Sequence, residues 1–358
     1  MHMSKEKGFN WKKITSHHLF MPVVCLIVVC LANVIKSPDF FKISISDNGV
    51  LYGSVIDIIN RASELVILAI GMTLVTAASG GQDISVGAIM AVAAAVCCQI
   101  LSGGAASTSD FQNPFILAVL AGLAAAMLCG VFNGFLVAKL NIQPMVATLI
   151  LYTAGRGIAQ LVTQGQITYI RVDSYKVLGG YIGKCPIPTP IFAAIISVVI
   201  AYLVLNKTAL GLYIESVGIN GGASRLVGLN STRIKWMAYV ICGFLAGFAG
   251  LVNSSRIYSA DANNIGLNLE MDAILAVALG GNLLSGGKFS LAGSIIGAFT
   301  IQALTTTLLS MDVSADQVPV YKAIVVVVIV VLQSPVFKRQ MAVWKARKGS
   351  NSTEGGRA

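Results

Sequence analysis

The sequence predicts an all-α fold, a polytopic transmembrane helical bundle of about ten spans arranged as two internally repeated halves. Three observations lead there. Hydrophobic residues make up 56% of the chain and charged residues only 11%, well below the share of charge in a soluble domain. Runs of about twenty apolar residues recur along the whole length, each long enough to cross a bilayer as a helix that satisfies its own backbone polar groups. One glycine-rich motif is also written twice: residues 80–87 read Gly-Gly-Gln-Asp-Ile-Ser-Val-Gly, and residues 280–287 read Gly-Gly-Asn-Leu-Leu-Ser-Gly-Gly. A polar, glycine-rich break inside apolar sequence, present in both halves, points to a transport path between broken or tightly turned helices.

Taken in order, residues 1–18 carry Lys5, Lys7, Lys12 and Lys13 and read as a cytoplasmic segment. The first helix is expected over 19–35. No small-x-small cleavage site follows Leu19–Val34, so this is an uncleaved span rather than a signal peptide. Helix two is expected over 54–79, with Asp57, Arg61 and Glu64 near its start, and helix three over 84–101. Residues 102–109 form a loop. Helix four runs over 114–138, starting at Pro114 where a proline is tolerated, and helix five over 145–163. A polar connection, 164–189, ends among Pro186, Pro188 and Pro190 and leads into helix six, 190–205.

Residues 206–236 read as a second long connection, with a short helix over Ala223–Leu229 between Gly222 and Asn230. Helix seven, 237–255, carries Gly243, Ala246, Gly247, Ala249 and Gly250, small residues that let helices approach closely. Residues 256–271 are polar, and the last segments fall at 272–284, 289–310 and 319–335. The permease domain thus covers 19–337 without a linker, and 338–358 is a basic cytoplasmic tail with Lys338, Arg339, Lys345, Arg347 and Lys348. Alternating ten spans from a cytoplasmic N-terminus places most Lys and Arg inside, and both glycine motifs with them. If one flanking segment is re-entrant, the copies are inverted instead; the sequence leaves both arrangements open. The net charge of +10 then reflects membrane topology rather than nucleic-acid binding.

Several chemistries are excluded. Gly287-Lys288 is a near miss for a P-loop, with Asn282 in place of the first Gly and Phe289 in place of Ser/Thr. No Ser/His/Asp set, nucleophile elbow or HExxH is present. The seven Cys include no CxxC, and the three His cluster near the N-terminus, so no metal site and no cofactor are expected on this chain.

Ionisable and amide side chains within apolar sequence are candidates for the path: Gln82, Asp83, Asn133, Arg156 and Gln302. Each has a structural alternative. Asp83 is placed to cap the following helix, Arg156 to pair or to snorkel, and Asn133, Gln143, Gln160, Asn253 and Gln302 to hydrogen-bond between helices. Gly80, Gly81, Gly87, Gly280, Gly281 and Gly287 are expected at tight turns and close helix approaches.

Three segments resemble the permease subunits of bacterial sugar ATP-binding-cassette importers of the ribose/galactose/xylose type. They are Gly71-Met-Thr-Leu-Val75 running into the first motif, Gly218-Ile-Asn-Gly-Gly-Ala-Ser-Arg-Leu-Val-Gly228, and Asp272-Ala-Ile-Leu-Ala-Val-Ala-Leu-Gly-Gly281 with Ser285-Gly-Gly287. The resemblance covers residues 50–335. Ile142–Ile150, Ala154–Gln160, Lys207–Gly211 and Asp261-Ala-Asn-Asn-Ile-Gly266 resemble the galactofuranose-importer branch. Gln82 departs from the apolar residue common at that place. The resemblance implies alternating access and a segment coupling to the ATPase at Glu215, Gly218, Asn220, Ala223, Arg225 and Gly228. It implies as partners a second permease subunit, identical or different, a cytoplasmic ATPase holding ATP and Mg, and an extracytoplasmic sugar-binding protein. It places the chain in the bacterial cytoplasmic membrane with both termini inside. The residues alone also fit an ion-coupled secondary transporter using Asp83 and Arg156 as coupling charges. That alternative explains the broken helices but not the coupling segment.

Overall fold

A computed structural model describes residues 19–36, 38–45, 49–183, 185–333 and 340. The expected cytoplasmic segment 1–18 and the basic tail, Gln340 aside, lie outside the described residues. Twelve α-helices follow one another among those described. They are α1 (Phe20–Lys36), α2 (Ser54–Ser79), α3 (Val86–Ser102), α4 (Phe115–Gly134), α5 (Pro144–Val162) and α6 (Thr189–Lys207), then α7 (Leu210–Ile219), α8 (Gly221–Leu226), α9 (Ser231–Ile257), α10 (Leu269–Leu279), α11 (Leu291–Ser310) and α12 (Val318–Gln333). A π turn over Phe135–Lys139 extends α4.

The bundle is all-α as expected, but ten full-length spans are not. Six helices among the described residues are long and apolar enough to cross a membrane: α2, α4 with its π turn, α5, α6, α9 and α11. The expected spans at α1, α3 and α12 are shorter apolar helices, and α10 has only 11 residues. The stretch 206–236 is not an open loop either. Asn220 and Asn230 cap α8 and α9, accepting from the N–H groups of Ala223 and Arg233, while the Thr208 hydroxyl accepts from the Leu210 N–H in the turn before α7. A side-chain acceptor at a helix start satisfies one of its free donors. Asn230 therefore starts α9 at Ser231, ahead of the apolar run that alone marks 237.

α2 lies at the centre, with 94% of its most apolar window buried. α9 packs against it and against α3 and α4, and small residues set those distances. A side chain at Gly130 or Gly243 would strike the facing backbone of α9 or α4, and one at Gly250 would strike Met90. Short strands join the loops at one end of the bundle: β1 (Ser44–Ile45) pairs with β2 (Leu51–Tyr52), and β3 (Ser107–Thr108), β4 (Thr168–Ile170) and β5 (Ser259–Ala260) form a three-stranded sheet. β3 and β4 are parallel, β4 and β5 antiparallel. The C-terminal ends of α3, α5 and α9 are thereby held together. Tyr175 plugs this end, its hydroxyl 2.6 Å from Ser254 Oγ, and burial pushes its phenol well above the ordinary value.

Candidate transport path and coupling segment

The first glycine motif ends α2. Gly80 caps the helix in the left-handed conformation (φ 68°), with its N–H on the carbonyl of Thr76, a position where glycine meets no Cβ penalty. The chain then climbs beside α5 instead of leaving the bundle. A Cβ on Gly81 would lie 2.5 Å from Cβ of Pro144, at the head of α5. One turn on, the Ile84 N–H donates to Thr148 Oγ1 at 3.2 Å. Gly155 then packs on Ala88 of α3. α3 therefore begins well inside the bundle, roughly 10 Å above the start of α5 at 1.5 Å per residue. This is the broken helix that the motif announces, and it explains why α3, at 17 residues, is shorter than the long apolar helices around it.

The second copy lies against the first. A Cβ on Gly80 would approach the Ser285 carbonyl oxygen at 2.7 Å, and one on Gly286 would approach Cα of Gly80 at 3.0 Å. The Gly287 N–H donates to the carbonyl of Ala77 at 3.0 Å. Gln82 reaches the same seam, its Nε2 3.5 Å from the carbonyl of Leu284. Both copies thus sit at one end of the bundle, in contact. Their backbones nevertheless differ: Gly80 and Gly281 are left-handed while Gly280 is right-handed, and Gly87 is helical where Gly287 has φ 95°.

The candidate coupling segment closes this junction. Gly218 of α7 packs so tightly on the carbonyl oxygen of Ala77 and the backbone of Gly287 that no side chain fits. Three chain segments (the end of α2, the second motif and α7) therefore meet backbone to backbone. Asn220 separates α7 from α8 and caps α8 through Ala223. Arg225 donates to Ser231 Oγ at 2.7 Å and Thr232 Oγ1 at 3.2 Å, fastening α8 to the head of α9. Gly228 (φ 86°) stands free in the turn that follows. Glu215 borders a cavity of about 410 Å³ with Tyr202, Asn206 and Phe289. The outer surface of the segment is apolar: Leu226 is 90% exposed and Val227 77%.

The candidate path residues fall into separate groups. Asp83 is buried, and its Oδ1 accepts from the N–H (2.9 Å) and hydroxyl (2.6 Å) of Ser85, the residue before α3. Asn133 of α4, also buried, donates to Ser85 Oγ at 2.8 Å and stands 3.5 Å from both Asp83 oxygens. This is an Asx turn leading into α3, locked by a neighbouring helix, and the carboxylate reaches none of the free N–H groups in the first turn of α3. Gln302 lies apart on α11, its amide 3.5 Å from Thr306 Oγ1 on the same helix. Asn253 holds Glu64, which also pairs with Arg256 at 3.1 Å, joining α2 to α9.

Arg156 of α5 grips the segment 261–266. Its Nη1 donates to the carbonyls of Ala262 (3.0 Å) and Ile265 (2.5 Å), with that of Asn263 at 3.4 Å. One turn along, Gln160 donates to Asn263 Oδ1 at 2.6 Å. The gripped segment brings Gly266 (φ 69°) against Gly87 backbone to backbone, and its Cβ would lie 2.6 Å from the Gly87 carbonyl oxygen. The heads of α3 and α10 thus touch within the bundle, with Glu270 of α10 beside Gly87.

Two buried groups lay outside the sequence-based candidates. One is Glu270, legible only as an acid opening a short apolar run. The other is Asn282, whose amide reaches the Val277 carbonyl (3.2 Å) and Ser294 Oγ (2.8 Å) while its Oδ1 accepts from the Ser290 N–H. Asn282 closes the α10–α11 turn, and Ser294 in turn meets Thr73 of α2 at 2.7 Å.

Comparison with known proteins places this geometry. The family model described as branched-chain amino acid transport system / permease component matches residues 54–333. The chain is 43% identical over 315 residues to the galactofuranose transporter permease protein YtfT of Escherichia coli (strain K12), covering 88% of this chain and 89% of that one. It is 39% identical to the fructose import permease protein FruF of Bifidobacterium longum (strain NCC 2705), covering 93% and 92% of the two chains. It is 33% identical to the ribose import permease protein RbsC of Escherichia coli (strain K12), covering 87% and 92%.

Proposed function

The chain belongs to the family of branched-chain amino acid transport system / permease components, among its sugar-import permeases, and on that footing we propose that it is the membrane-spanning subunit of an ATP-binding-cassette importer. It carries a monosaccharide, galactofuranose or a related pentose or hexose, across the bacterial cytoplasmic membrane by alternating access. Hydrolysis takes place on a separate cytoplasmic ATPase with ATP and Mg. An extracytoplasmic sugar-binding protein delivers the substrate, and a second permease subunit, the same or different, completes the path. Both termini face the cytoplasm.

The observation that carries this reading is the packing of α7 on the end of α2, just ahead of the first glycine motif, and on the second motif. An ATPase docked on the exposed apolar surface of α7–α8, at Leu226 and Val227, pushes on Gly218. No compressible side chain separates that residue from the ends of α2 and of the second motif. ATP can bias the two conformations only through different contacts in each, and a rigid backbone junction transmits such a difference. The ion-coupled alternative draws less support: the Asp83 carboxylate is engaged by Ser85 and Asn133, and Arg156 by main-chain carbonyls.

Uptake into proteoliposomes holding this chain with its ATPase and binding protein tests the proposal. Sugar accumulation is expected to require ATP and to survive collapse of ion gradients. Accumulation driven by an ion gradient without ATP overturns it.

A further inference from the structure

The contact between α5, the 261–268 segment and the head of α10 has unfilled hydrogen-bonding capacity on both of its charged members. Glu270 is 1% exposed, and its Oε2 has no hydrogen-bond partner. Arg156 uses Nη1 on three carbonyls, whereas its Nη2 is buried and unpartnered. The two side chains belong to different helices, and among the described residues they form no ion pair with each other at 4.0 Å or less. A buried polar atom without a partner is costly and calls for a reason.

The surroundings are also polar and accessible. Gln160, Asn263, Asn264 and Asn268 are exposed along the same edge. The Asp261 carboxylate holds the segment in shape: Oδ1 accepts from the N–H groups of Asn263 (2.9 Å) and Asn264 (3.2 Å), and Oδ2 from the Asn264 amide (2.6 Å). Asn268 enters α10 with φ 64°, a left-handed conformation that asparagine tolerates better than most residues.

A guanidinium N–H seeking an acceptor and a carboxylate oxygen seeking a donor, both set against the same 261–270 stretch, are together the complement of a hydroxyl group, which does both. Exposed amides at the rim extend the same chemistry without adding net charge. We propose that Arg156, Glu270 and the amides of Gln160, Asn263 and Asn264 form a hydroxyl-reading subsite for a neutral monosaccharide within this permease, so that the membrane subunit itself contributes to sugar selection. The inference rests on the sugar-permease reading above. The loop is held by Arg156 when the subsite is empty, and a sugar hydroxyl takes the free Nη2 and Oε2 when the loop shifts. A site built to bond a hydroxyl rejects the analogue lacking it, because its own buried groups are then left unpaired.

The test is competitive uptake by the complete transporter in proteoliposomes, using radiolabelled D-galactose, D-fructose and D-ribose against their deoxy analogues. The parent, Glu270→Gln and Arg156→Lys are compared with the same binding protein throughout. Selection by that partner is then constant, and a ratio of two sugars within one variant is independent of how much of it folds. The parent is expected to favour at least one sugar over a deoxy analogue by about tenfold or more. In Glu270→Gln and Arg156→Lys that preference should fall by at least threefold, with the change confined to particular hydroxyl positions. A parental ratio in both variants overturns the subsite and leaves the sugar-permease reading standing. A parent that accumulates none of these sugars with ATP overturns both.

Discussion

Gly218→Ala is the most direct perturbation of the junction beneath α7. The added Cβ would overlap the carbonyl oxygen of Ala77 and lie 2.6 Å from the nitrogen and 3.0 Å from Cα of Gly287. All of these are backbone atoms, so no side chain can swing aside. Restoring an ordinary contact of about 3.5 Å on both neighbours moves α7 roughly 1.5 Å away from the end of α2 and the motif. Overpacking of this kind costs about 1–3 kcal/mol, and loss of the 3.0 Å bond from Gly287 to Ala77 adds about 1 kcal/mol. The assay is sugar-stimulated ATPase and ATP-driven uptake by the complete transporter, with thermal unfolding measured in parallel. Gly218→Ala is expected to lower uptake by at least tenfold while sugar binding by the extracytoplasmic partner is unchanged. Gly221→Ala is the control, because a Cβ there finds its nearest neighbour, Ser231 Cβ, at 3.8 Å, and it should behave as the parent does. Parental uptake and stimulation in Gly218→Ala would refute transmission through this contact.

Other substitutions separate structure from transport. Asp83→Asn keeps the oxygen that accepts from Ser85 and should retain at least half of parental uptake; a loss above tenfold would show that the carboxylate's charge is used. Asn220→Ala removes the cap of α8, costing about 1 kcal/mol, and should reduce sugar-stimulated ATPase before it reduces the unfolding temperature; an unchanged ATPase counts against α8 as a docking element. Glu64→Ala leaves Arg256 with Asn60 as its remaining partner at the α2–α9 contact and should destabilise the protein by about 1–3 kcal/mol, read as a lowered unfolding midpoint in detergent; an unmoved midpoint would show that the pair contributes nothing.

Much of the helix layout was legible because it is local. α2 spans Ser54–Ser79, the range that the apolar run marks, and α1, α5, α6 and α11 agree with expectation to within two residues. The misses are equally physical. α10 stops at Leu279 rather than 284, because Gly280 and Gly281 turn the chain and Asn282 bonds back to Val277. A hydropathy run does not register that turn, since Leu283 and Leu284 continue it. α9 begins six residues before its apolar stretch, because a capping asparagine starts a helix whatever follows. The candidate site was less legible. Arg156 stands out as a charge in apolar sequence, but its partners are main-chain carbonyls, which no residue pattern announces. Glu270 is silent for a similar reason: it acquires meaning only when Gly87 and Gly266 bring the heads of α3 and α10 together.

The doubled motif shows most clearly what repetition in a sequence does and does not carry. Its shared letters, the paired glycines, do what shared letters suggest: they turn the chain sharply and let the two copies touch. Its unshared letters are engaged differently in each copy. Asp83 anchors the head of α3 through Ser85 and Asn133, whereas Asn282 anchors the turn into α11 through Ser290 and Ser294. A displacement of α7 therefore meets the end of α2, three residues ahead of the first copy, and the second copy itself through backbone contacts at Ala77 and at Gly287. Beyond that point it reaches two different helices by two different polar linkages. On the proposed mechanism the halves respond together at the cytoplasmic junction and unequally above it. The unequal part lies at the heads of α3 and α11. Single substitutions at Ser85 and at Ser294 should accordingly affect transport independently of each other, with effects that add in the double variant. Strong non-additivity would mean that the two linkages form one network and that the copies move as one body.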